Sequence, residues 1–290
     1  MRVKGLKTQK QEPVTAFQHK KSLGQNFLTS SYVPNLMCDA GTVSADDTVI
    51  EIGPGTGALT KVLLERSARV IAIETDNRAI AVLTDTFAEQ IATGQLTIVA
   101  ADIRTTDMAH IVAPLTSYKV IANIPYYLSG FLLRTILELP KPPKTLVFLM
   151  QKEVVHRICR DQKASLLSLS VRVYGEPVYV KTISKGHFSP PPNVDSAILL
   201  VRNISHKNLK TAVEREHFFS LLHRGLGSKR KQLQGLLRNH YDEVVITNAF
   251  QTLHLKPDIR GEDMSLETWL QLHTLLLQAT SSAQPKTETP

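Results

Sequence analysis

The sequence predicts an α/β fold, in which a doubly wound, mostly parallel sheet is followed by a smaller all-α unit. Between residues 48 and 150, short β-branched runs alternate with helical patterns, as in successive strand–helix–strand crossovers. The runs are apolar almost throughout, which is typical of strands buried on both faces. From about residue 207 only helical patterns remain. A chain of 290 residues also exceeds the roughly 150 residues of one typical domain.

The first half of the chain supplies the parallel strands and their crossover helices. Strands are predicted over Thr48–Ile52, Arg69–Glu74, Leu96–Ala100, Tyr118–Ala122 and Thr145–Met150. Helices are predicted over Ala58–Arg66, Asn77–Ile91 and Phe131–Leu139. Because the strands of such a sheet run the same way, we expect a ligand at their carboxyl ends.

The second half departs from this alternation. A helix is predicted over Lys152–Arg160, strands over Val178–Ile183 and Ser196–Val201, and helices near 213–223, 229–238, 245–253 and 265–278. The short apolar run Ser165–Tyr174 has a hydrophobic pattern that fits either a helix or a strand. Phe188–Pro192 is predicted to be an exposed, stiff loop, because its three prolines cannot donate to a sheet. The chain therefore divides into a flexible basic arm (1–17), a sheet domain (18–204), a helical domain (205–279) and a disordered tail (280–290).

Composition excludes several classes of protein. With 42% hydrophobic and 21% charged residues, the chain is neither disordered, collagenous nor a coiled coil. No apolar run approaches the roughly 20 residues of a membrane helix, and the first residues lack a signal-peptide core. The chain has two cysteines, so we expect a reducing, cytoplasmic environment. Its ten histidines show no ligand spacing, so no metal site is expected.

Positive charge is concentrated in two segments. The net charge is +8, yet residues 1–21 carry +5 and residues 205–241 carry +6, which leaves a mildly acidic remainder. A basic segment on either side of an acidic body indicates a polyanionic partner, although a solvated basic surface would also explain it.

Three features at successive strand ends indicate an adenosine-bearing cofactor. The turn Glu51–Gly57 has the spacing G-x-G-x-G, which lets the backbone approach a ligand at a helix N-terminus. It is neither the dinucleotide G-x-G-x-x-G pattern nor a Walker loop. Glu74 ends the second strand, where an acid accepts the ribose hydroxyls. Asp102 follows the third strand, where a carboxylate can accept from the adenine amino group. Each feature alone also fits a tight turn or a polar strand end.

The sequence Asn123-Ile124-Pro125-Tyr126 follows the fourth strand and carries the chemistry. It resembles the motif of S-adenosylmethionine-dependent methyltransferases that modify exocyclic amines of bases. A base amine is a poor nucleophile because its lone pair is delocalised into the ring. Asn123 and the carbonyl near Ile124 can accept its two N–H groups, and Tyr126 offers a face for stacking. Positioning then replaces a strong general base.

Seven motifs in order resemble the ribosomal RNA adenine N6-dimethyltransferase family, of the bacterial KsgA (RsmA) type. The resemblance spans Lys20 to about Leu276 and rests on Leu23–Leu28, Glu51–Gly57, Val70–Glu74, Asp102, Asn123–Tyr126, Met150–Val154 and Phe188–Ser196. It implies a Rossmann-like class I S-adenosylmethionine methyltransferase fold, with a seven-stranded, mostly parallel sheet that ends in an antiparallel hairpin. It also implies that 18–204 is the methyltransferase domain and 205–279 a helical rRNA-binding domain.

The resemblance assigns roles to single residues. Gln25, Asn26 and Leu28 would close over S-adenosylmethionine. Glu51, Gly53, Gly55 and Gly57 would bound its methionine part. Phe188 would stack on a flipped target adenine opposite Tyr126. RNA binding would use Lys20, Lys21, Arg224, Lys229, Arg230 and Lys231, together with the basic arm.

Two stretches depart from the family pattern. Tyr127-Leu128-Ser129-Gly130 stands where Asn-Ile-Ser-Thr is common, which puts the number of methyls added per adenine in doubt. Leu226 replaces an aromatic residue before the basic triplet Lys229–Lys231, which still suits phosphate.

The implied activity is dimethylation of two adjacent adenines in the 3′-terminal hairpin of small-subunit (16S) rRNA. S-adenosyl-L-methionine would be the donor, S-adenosyl-L-homocysteine the product, and a monomer acting on a pre-30S particle the working form. Two alternatives stay open at this point, an erythromycin-resistance-type methyltransferase of large-subunit rRNA and a non-catalytic RNA- or DNA-binding relative. A small-molecule or protein methyltransferase is disfavoured by Phe188 and the basic segments.

Overall fold

The computed structural model describes residues 26–67, 69–228 and 230–282, apart from the side chains of residues 281 and 282. The strands are β1 Phe27–Leu28, β2 Thr48–Ile52, β3 Arg69–Glu74, β4 Leu96–Ala100, β5 Lys119–Asn123, β6 Thr145–Gln151, β7 Glu176–Ile183, β8 Phe188–Ser189 and β9 Ser196–Arg202. The helices are α1 Tyr32–Ala40, α2 Ala58–Arg66, α3 Asn77–Thr86, α4 Ala88–Ala92, α5 Met108–Val112, α6 Ser129–Leu137, α7 Lys152–Cys159, α8 Leu166–Arg172, α9 Ala212–Leu226, α10 Leu233–Leu237, α11 Glu243–Thr252 and α12 Leu266–Ser282.

Seven strands form one mixed sheet in the order β4-β3-β2-β5-β6-β9-β7. The five strands from β4 to β6 are parallel, and β9 runs antiparallel to both β6 and β7. This arrangement confirms the predicted fold class, including the antiparallel hairpin at one end. The strand order reverses between β2 and β5, and ligands of such folds bind at this switch point, outside the carboxyl ends of the strands.

The sheet is apolar on both faces because its residues alternate between two hydrophobic clusters. Ile50, Val120 and Phe148 lie on one face, and their neighbours on the other face pack under α1 and α2. These side chains are fully buried, and each contributes about 1.5–3 kcal/mol relative to an exposed position. Burial on both faces is the physical reason that the strands are apolar runs rather than alternating ones.

The C-terminal helices share the core of the sheet. One hydrophobic cluster runs from the strands into α9, α10, α11 and α12. Trp269 of α12 is fully buried and donates from Nε1 to the Gly261 carbonyl at 3.2 Å. A side chain at Gly225 of α9 would collide with its ring. The helical unit therefore shares a continuous hydrophobic core with the sheet domain, which it contacts through α8 and Tyr174.

Several predicted elements differ from the structure. The helix predicted over Asn77–Ile91 is broken at Phe87, which turns inward and is 7% exposed. The ambiguous Ser165–Tyr174 stretch forms the helix α8, whose start is fixed by a Ser165–Ser168 capping box. The helix predicted over 229–238 shortens to Leu233–Leu237.

Other elements lie where the sequence patterns predicted none. The strands β1 and β8 and the helices α1 and α5 are additional to those predicted. The exposed-loop prediction was wrong for Phe188 and Pro192, which are buried, although Ser189–Pro191 are exposed. The helix α12 continues to Ser282, three residues into the predicted tail, and the predicted arm (1–17) lies outside the described residues. Among the helices described here, none is both long and apolar enough to cross a membrane.

Candidate cofactor and substrate site

A cleft opens at the carboxyl ends of β2, β3, β4 and β5, at the predicted switch point. It holds about 1100 Å³ of space, counting the part open to solvent. Most predicted site residues line it together: Asn26, Leu28, Glu51, Gly53, Gly55, Glu74, Asp102, Asn123, Ile124, Pro125 and Tyr126. Gly57 and Phe188 do not line it, and Gln25 lies outside the described residues. The fold therefore brings side chains from four strand ends and from β1 to one place.

The glycine turn is built for close approach. Gly53, Gly55 and Gly57 all have positive φ angles, of 68°, 58° and 86°. A Cβ at Gly55 would lie 2.6 Å from Cε1 of Phe27, and one at Gly57 would lie 2.6 Å from Cε2 of Phe87. Only glycine meets both demands, a left-handed backbone and no side chain. Gly55 bounds the cleft, whereas Gly57 lets α2 begin against α3.

Glu74 is held by the backbone at the end of β3. Its Oε1 accepts from the N–H groups of Thr75 at 2.8 Å and Asp76 at 2.9 Å, and its Oε2 accepts from Gly55 at 3.1 Å. A carboxylate offers about four acceptor positions, so one remains for a ligand hydroxyl. The same side chain thus fixes the glycine turn and presents an oxygen to the cleft.

Asp102 is saturated by Arg104, two residues further along. The Arg104 Nη2 donates to Oδ2 at 2.6 Å, its Nε donates to both oxygens at 3.1 Å, and its backbone N–H donates to Oδ1 at 2.9 Å. Hydrogen bonds from Arg104 lower the pKa of Asp102 to about 2. An adenine amino group would have to displace the Arg104 guanidinium to reach this carboxylate. The Arg104 side chain is 60% exposed and also lines the cleft, so it has room to move.

Glu51 differs from the other two acids because it is buried. Its side chain is 1% exposed and accepts from the Thr60 hydroxyl at 2.7 Å, which ties β2 to α2. Burial raises the pKa of Glu51 to about 8, and the neighbouring Glu74 carboxylate adds to the effect. Glu51 is therefore mainly neutral at pH 7. Sequence alone does not distinguish this buried acid from Glu74 and Asp102.

Asn123 lies at the end of β5 with its amide oriented. Its Nδ2 donates to the Asn26 carbonyl at 3.1 Å, which leaves Oδ1 as an acceptor. Tyr126 follows in a short 3-10 turn that begins after Pro125, and its hydroxyl lies 2.7 Å from Oγ of Ser196. Burial raises the pKa of Tyr126, so the phenol stays neutral. Both side chains are fixed by partners outside the motif.

Phe188 lies behind the cleft rather than in it. β1 and β8 pair antiparallel, with Leu28 opposite Phe188, and we call this two-stranded unit the clasp. The Phe188 ring is 4% exposed and packs into the hydrophobic cluster under α1. To stack on a base, the ring would have to leave this cluster. Its stacking role stays a prediction.

The predicted RNA-binding residues are only partly described. Lys20, Lys21 and Lys229 lie outside the described residues, whereas Arg230 and Lys231 are exposed. Arg224 is half-buried, with its guanidinium carbon 5.7 Å from the centre of the Tyr241 ring. Within the described part of the chain, no three His, Cys, Asp or Glu side chains are grouped as a metal site would require.

Residues that line the cleft but were not predicted as site residues include Phe27, Ile103 and Arg104. Each lies within two positions of a predicted site residue in sequence, so proximity to the motifs was the available signal. Proximity to a motif does not show which of the neighbouring side chains lines the cleft. Tyr127 is 61% exposed, at the rim.

Comparison with known proteins agrees with this geometry. A family model described as ribosomal RNA adenine dimethylase matches residues 16–278. The chain belongs to this family. It is 38% identical over 256 residues to a ribosomal RNA small subunit methyltransferase A of Dehalococcoides mccartyi strain CBDB1, covering 87% of each chain. It is 33% identical over 275 residues to the Bacillus pumilus protein of the same name, covering 91% of this chain and 93% of that one.

Solved structures share the fold of this dimethylase. A dimethyladenosine transferase from Plasmodium falciparum superimposes with a TM-score of 0.72 at 22% identity, covering 88% of this chain and 98% of that one. The 23S rRNA methyltransferase ErmE gives a TM-score of 0.68 at 24% identity, covering 87% and 100%. The similarity in fold does not separate these two activities. Family membership makes the chain an S-adenosylmethionine-dependent rRNA adenine methyltransferase, as the sequence predicted.

Proposed function

We propose that this dimethylase transfers methyl groups from S-adenosylmethionine to N6 of two adjacent adenines in the 3′-terminal hairpin of small-subunit rRNA during ribosome biogenesis. One observation carries the proposal: Asn123, with Oδ1 as a hydrogen-bond acceptor, lies in the same cleft as Glu74 and Asp102. The proposed cofactor-binding residues and the proposed amine-binding group therefore line the same cleft. The curated small subunit methyltransferases support the choice of substrate.

The cofactor would lie across the carboxyl edge of the sheet, and the residues present fit it. Glu74 retains an acceptor for a ribose hydroxyl, and Asp102 would accept from the adenine amino group once Arg104 moves. The glycine turn admits the methionine part, beside Asn26, Leu28 and Glu51. When bound, S-adenosylmethionine supplies an electrophilic methyl group.

The chain supplies orientation for the target amine. We propose that Asn123 Oδ1 and the Ile124 carbonyl accept the two N–H groups, so that the nitrogen lone pair points toward the donor. Pro125 fixes the backbone at φ −57° between them and Tyr126, whose ring would support the base. Removing one such preorganised polar group typically lowers kcat by about 10²–10³. Phe188 would complete the slot by leaving its buried position.

RNA would be held by the basic segments, which include Lys20, Lys21, Arg224 and Lys229–Lys231. We propose a monomer that acts in the cytoplasm on a late small-subunit precursor. In this arrangement residues 18–204 carry the chemistry and 205–279 dock the RNA.

The proposal is tested by offering the purified protein two substrates in parallel. Unmethylated small ribosomal subunits and unmethylated large subunits are each incubated with labelled S-adenosylmethionine. We expect label in the small-subunit rRNA alone. Label in the large-subunit rRNA would favour the erythromycin-resistance type of activity, and label in neither would contradict a catalytic role.

A further inference from the structure

An exposed aromatic and basic cluster lies beside the clasp, and the proposed chemistry does not use it. It consists of Tyr32, Lys181, Lys185 and His187, and we call it the clasp patch. The rings of Tyr32 and His187 stack with their centres 5.5 Å apart and 26° between their planes. The Lys181 Nζ donates to the Tyr32 hydroxyl at 2.9 Å. The Tyr32 side chain is 47% exposed, and both lysines are exposed.

A β-bulge directs Lys181 toward this cluster. Tyr179 pairs with Leu199 and Lys181 pairs with Ile198, so Val180 is extra in β7. In a regular strand, residues two apart share a face, but the bulge puts Tyr179 and Lys181 on opposite faces. Leu199 belongs to the cluster that extends into α9, and Ile198 to the cluster under α1. Bulges recur beside active sites because they redirect a side chain in this way.

Hydrogen bonds connect the clasp patch to the cleft on two sides. Thr29 donates from its backbone N–H and its hydroxyl to the His187 carbonyl, at 3.0 and 3.1 Å. Leu28 lines the cleft, and Tyr32 follows within at most about 14 Å of extended chain. At the end of β7, Ile183 pairs with Ser196, whose Oγ contacts the Tyr126 hydroxyl.

The two lysine ammonium groups of the clasp patch form no ion pair within the described structure, although the Asp195 carboxylate lies nearby and accepts from the Lys185 backbone N–H at 3.2 Å. No carboxylate of the described residues forms an ion pair with Lys181 or Lys185, whereas Lys119 pairs with Asp47 and Lys163 with Glu262. Ammonium groups without a carboxylate partner, beside an exposed aromatic ring, suit a nucleic-acid single strand, with phosphates on the cations and a base on the ring.

We infer that the clasp patch binds the single-stranded RNA adjoining the target adenine, with a base on Tyr32 and phosphates on Lys181 and Lys185. The inference rests on the proposed function, because a base placed in the cleft must leave its helix and its neighbours lose their stacking partner. The Tyr32 ring of the clasp patch would give one of these neighbouring bases a new stacking partner at the rim of the cleft. It would add a third RNA-binding surface to the two basic segments.

Arg160 provides a matched control. Its guanidinium carbon lies 3.9 Å from the centre of the Tyr179 ring, on the other face of the same strand. It is exposed and forms no ion pair with a described carboxylate. Arg160→Ala and Lys181→Ala therefore each remove one positive charge beside a tyrosine ring, on opposite faces of β7.

The test measures binding of an unmethylated 3′-terminal hairpin RNA across a salt series. Lys181→Ala should reduce the slope of log affinity against log salt by roughly 0.7, the value for one phosphate of a single strand. Tyr32→Ala should weaken binding by about fivefold or more, and Tyr32→Phe, which keeps the ring, should bind as the wild type does. Arg160→Ala should change neither quantity. S-adenosylhomocysteine affinity, unchanged in all four variants, would show that they are folded.

The outcomes separate the two levels of the proposal. If the wild type binds and methylates the RNA while Lys181→Ala and Arg160→Ala behave alike, the clasp patch is not an RNA site. Equally weakened binding by Tyr32→Ala and Tyr32→Phe would exclude stacking. If the wild type neither binds nor methylates small-subunit RNA, the proposed function fails and the inference fails with it.

Discussion

At the residue scale, the three acids around the cleft differ in what surrounds each carboxyl group. Glu74 is held by backbone N–H groups, Asp102 by an arginine, and Glu51 by burial beside Thr60. The sequence shows three similar acids at three strand ends. Because of these partners, Glu51 is mainly neutral, Glu74 is fixed by the backbone, and Asp102 is paired with an exposed arginine.

The burial of Glu51 predicts a pH dependence of stability. Between its ordinary pKa of 4.5 and about 8, the folded protein keeps a proton that the unfolded chain releases. The free energy of unfolding contributed by this group therefore falls as pH rises through that window, by at most about 1.4 kcal/mol per pH unit. Glu51→Gln has no titratable proton at this position. In urea unfolding, its free energy of unfolding should therefore rise relative to that of the wild type from pH 5 to pH 8. A constant difference between the two proteins would mean that Glu51 is ionised in the fold.

The Arg104–Asp102 pair predicts a gain of cofactor affinity on mutation. If the adenine amino group must displace Arg104, then Arg104→Ala should bind S-adenosylhomocysteine about 1.5- to 5-fold more tightly, the range for an exposed ion pair. Arg78→Ala is the control, because Arg78 binds Asp76 with the same two-residue spacing and neither residue lines the cleft. Titration calorimetry measures both. Weaker binding by Arg104→Ala alone would show that Arg104 holds the cofactor instead.

At the element scale, the clasp and the glycine turn depend on each other. Phe27 of β1 packs where a side chain at Gly55 would lie. Gly55→Ala should lower the free energy of unfolding by about 1–2 kcal/mol because of its left-handed backbone, and it should also weaken cofactor binding because Phe27 is displaced. Gly94→Ala is matched for strain, with φ of 78° and no atom within 4 Å of the added Cβ. It should be destabilised to a similar degree in urea unfolding and keep cofactor affinity. If the two variants bind the cofactor with equal affinity, the packing of Phe27 against Gly55 does not affect the cofactor site.

The elements that sequence predicted well are those whose pattern is imposed by burial. β2 and β3 lie at their predicted bounds because strands covered on both faces must be apolar runs. β4 and α2 also match their predicted bounds. The clasp was not predictable in this way. Its strands are two residues long and pair across about 160 residues of chain, so no local periodicity marks them.

The candidate site shows the same division between what sequence predicts and what it does not. Motif spacing predicted that Glu74, Asp102 and Asn123 meet, because parallel strands end at one edge. It did not predict that Arg104 forms an ion pair with Asp102 or that Phe188 is buried. Those facts depend on side-chain rotamers and on packing between distant segments, which spacing does not encode.

At the scale of the whole molecule, we propose that the excess of positive charge holds the RNA. Arg230 and Lys231 are exposed beyond the end of α9, in the segment proposed to dock RNA. Changing both to alanine should lower the slope of log affinity against log salt by roughly 0.7–0.9 for each phosphate that the protein no longer binds, without changing cofactor affinity. Arg202→Ala is the control, since Arg202 is already paired with Glu176 at 3.2 Å. If the slope does not change in the double variant, Arg230 and Lys231 do not contact RNA phosphates.

Continuity of the core joins the C-terminal helical unit to the sheet domain. The cluster that contains Phe148 of β6 also contains Phe218 of α9 and Trp269 of α12. In the proposed function, RNA docked on the helices would be held on a unit that shares its core with the sheet that carries Asn123. This arrangement would position the target amine without requiring a strong base.

Mass spectrometry of rRNA from treated small subunits tests the proposed reaction most directly. Unmethylated subunits are incubated with S-adenosylmethionine and either the wild-type protein or Asn123→Ala, and the modified nucleosides are mapped. The wild type should produce N6,N6-dimethyladenosine at two adjacent positions near the 3′ end, and Asn123→Ala should bind RNA normally but produce almost none. Methyl groups elsewhere, or equal products from both proteins, would contradict the proposed role of the cleft.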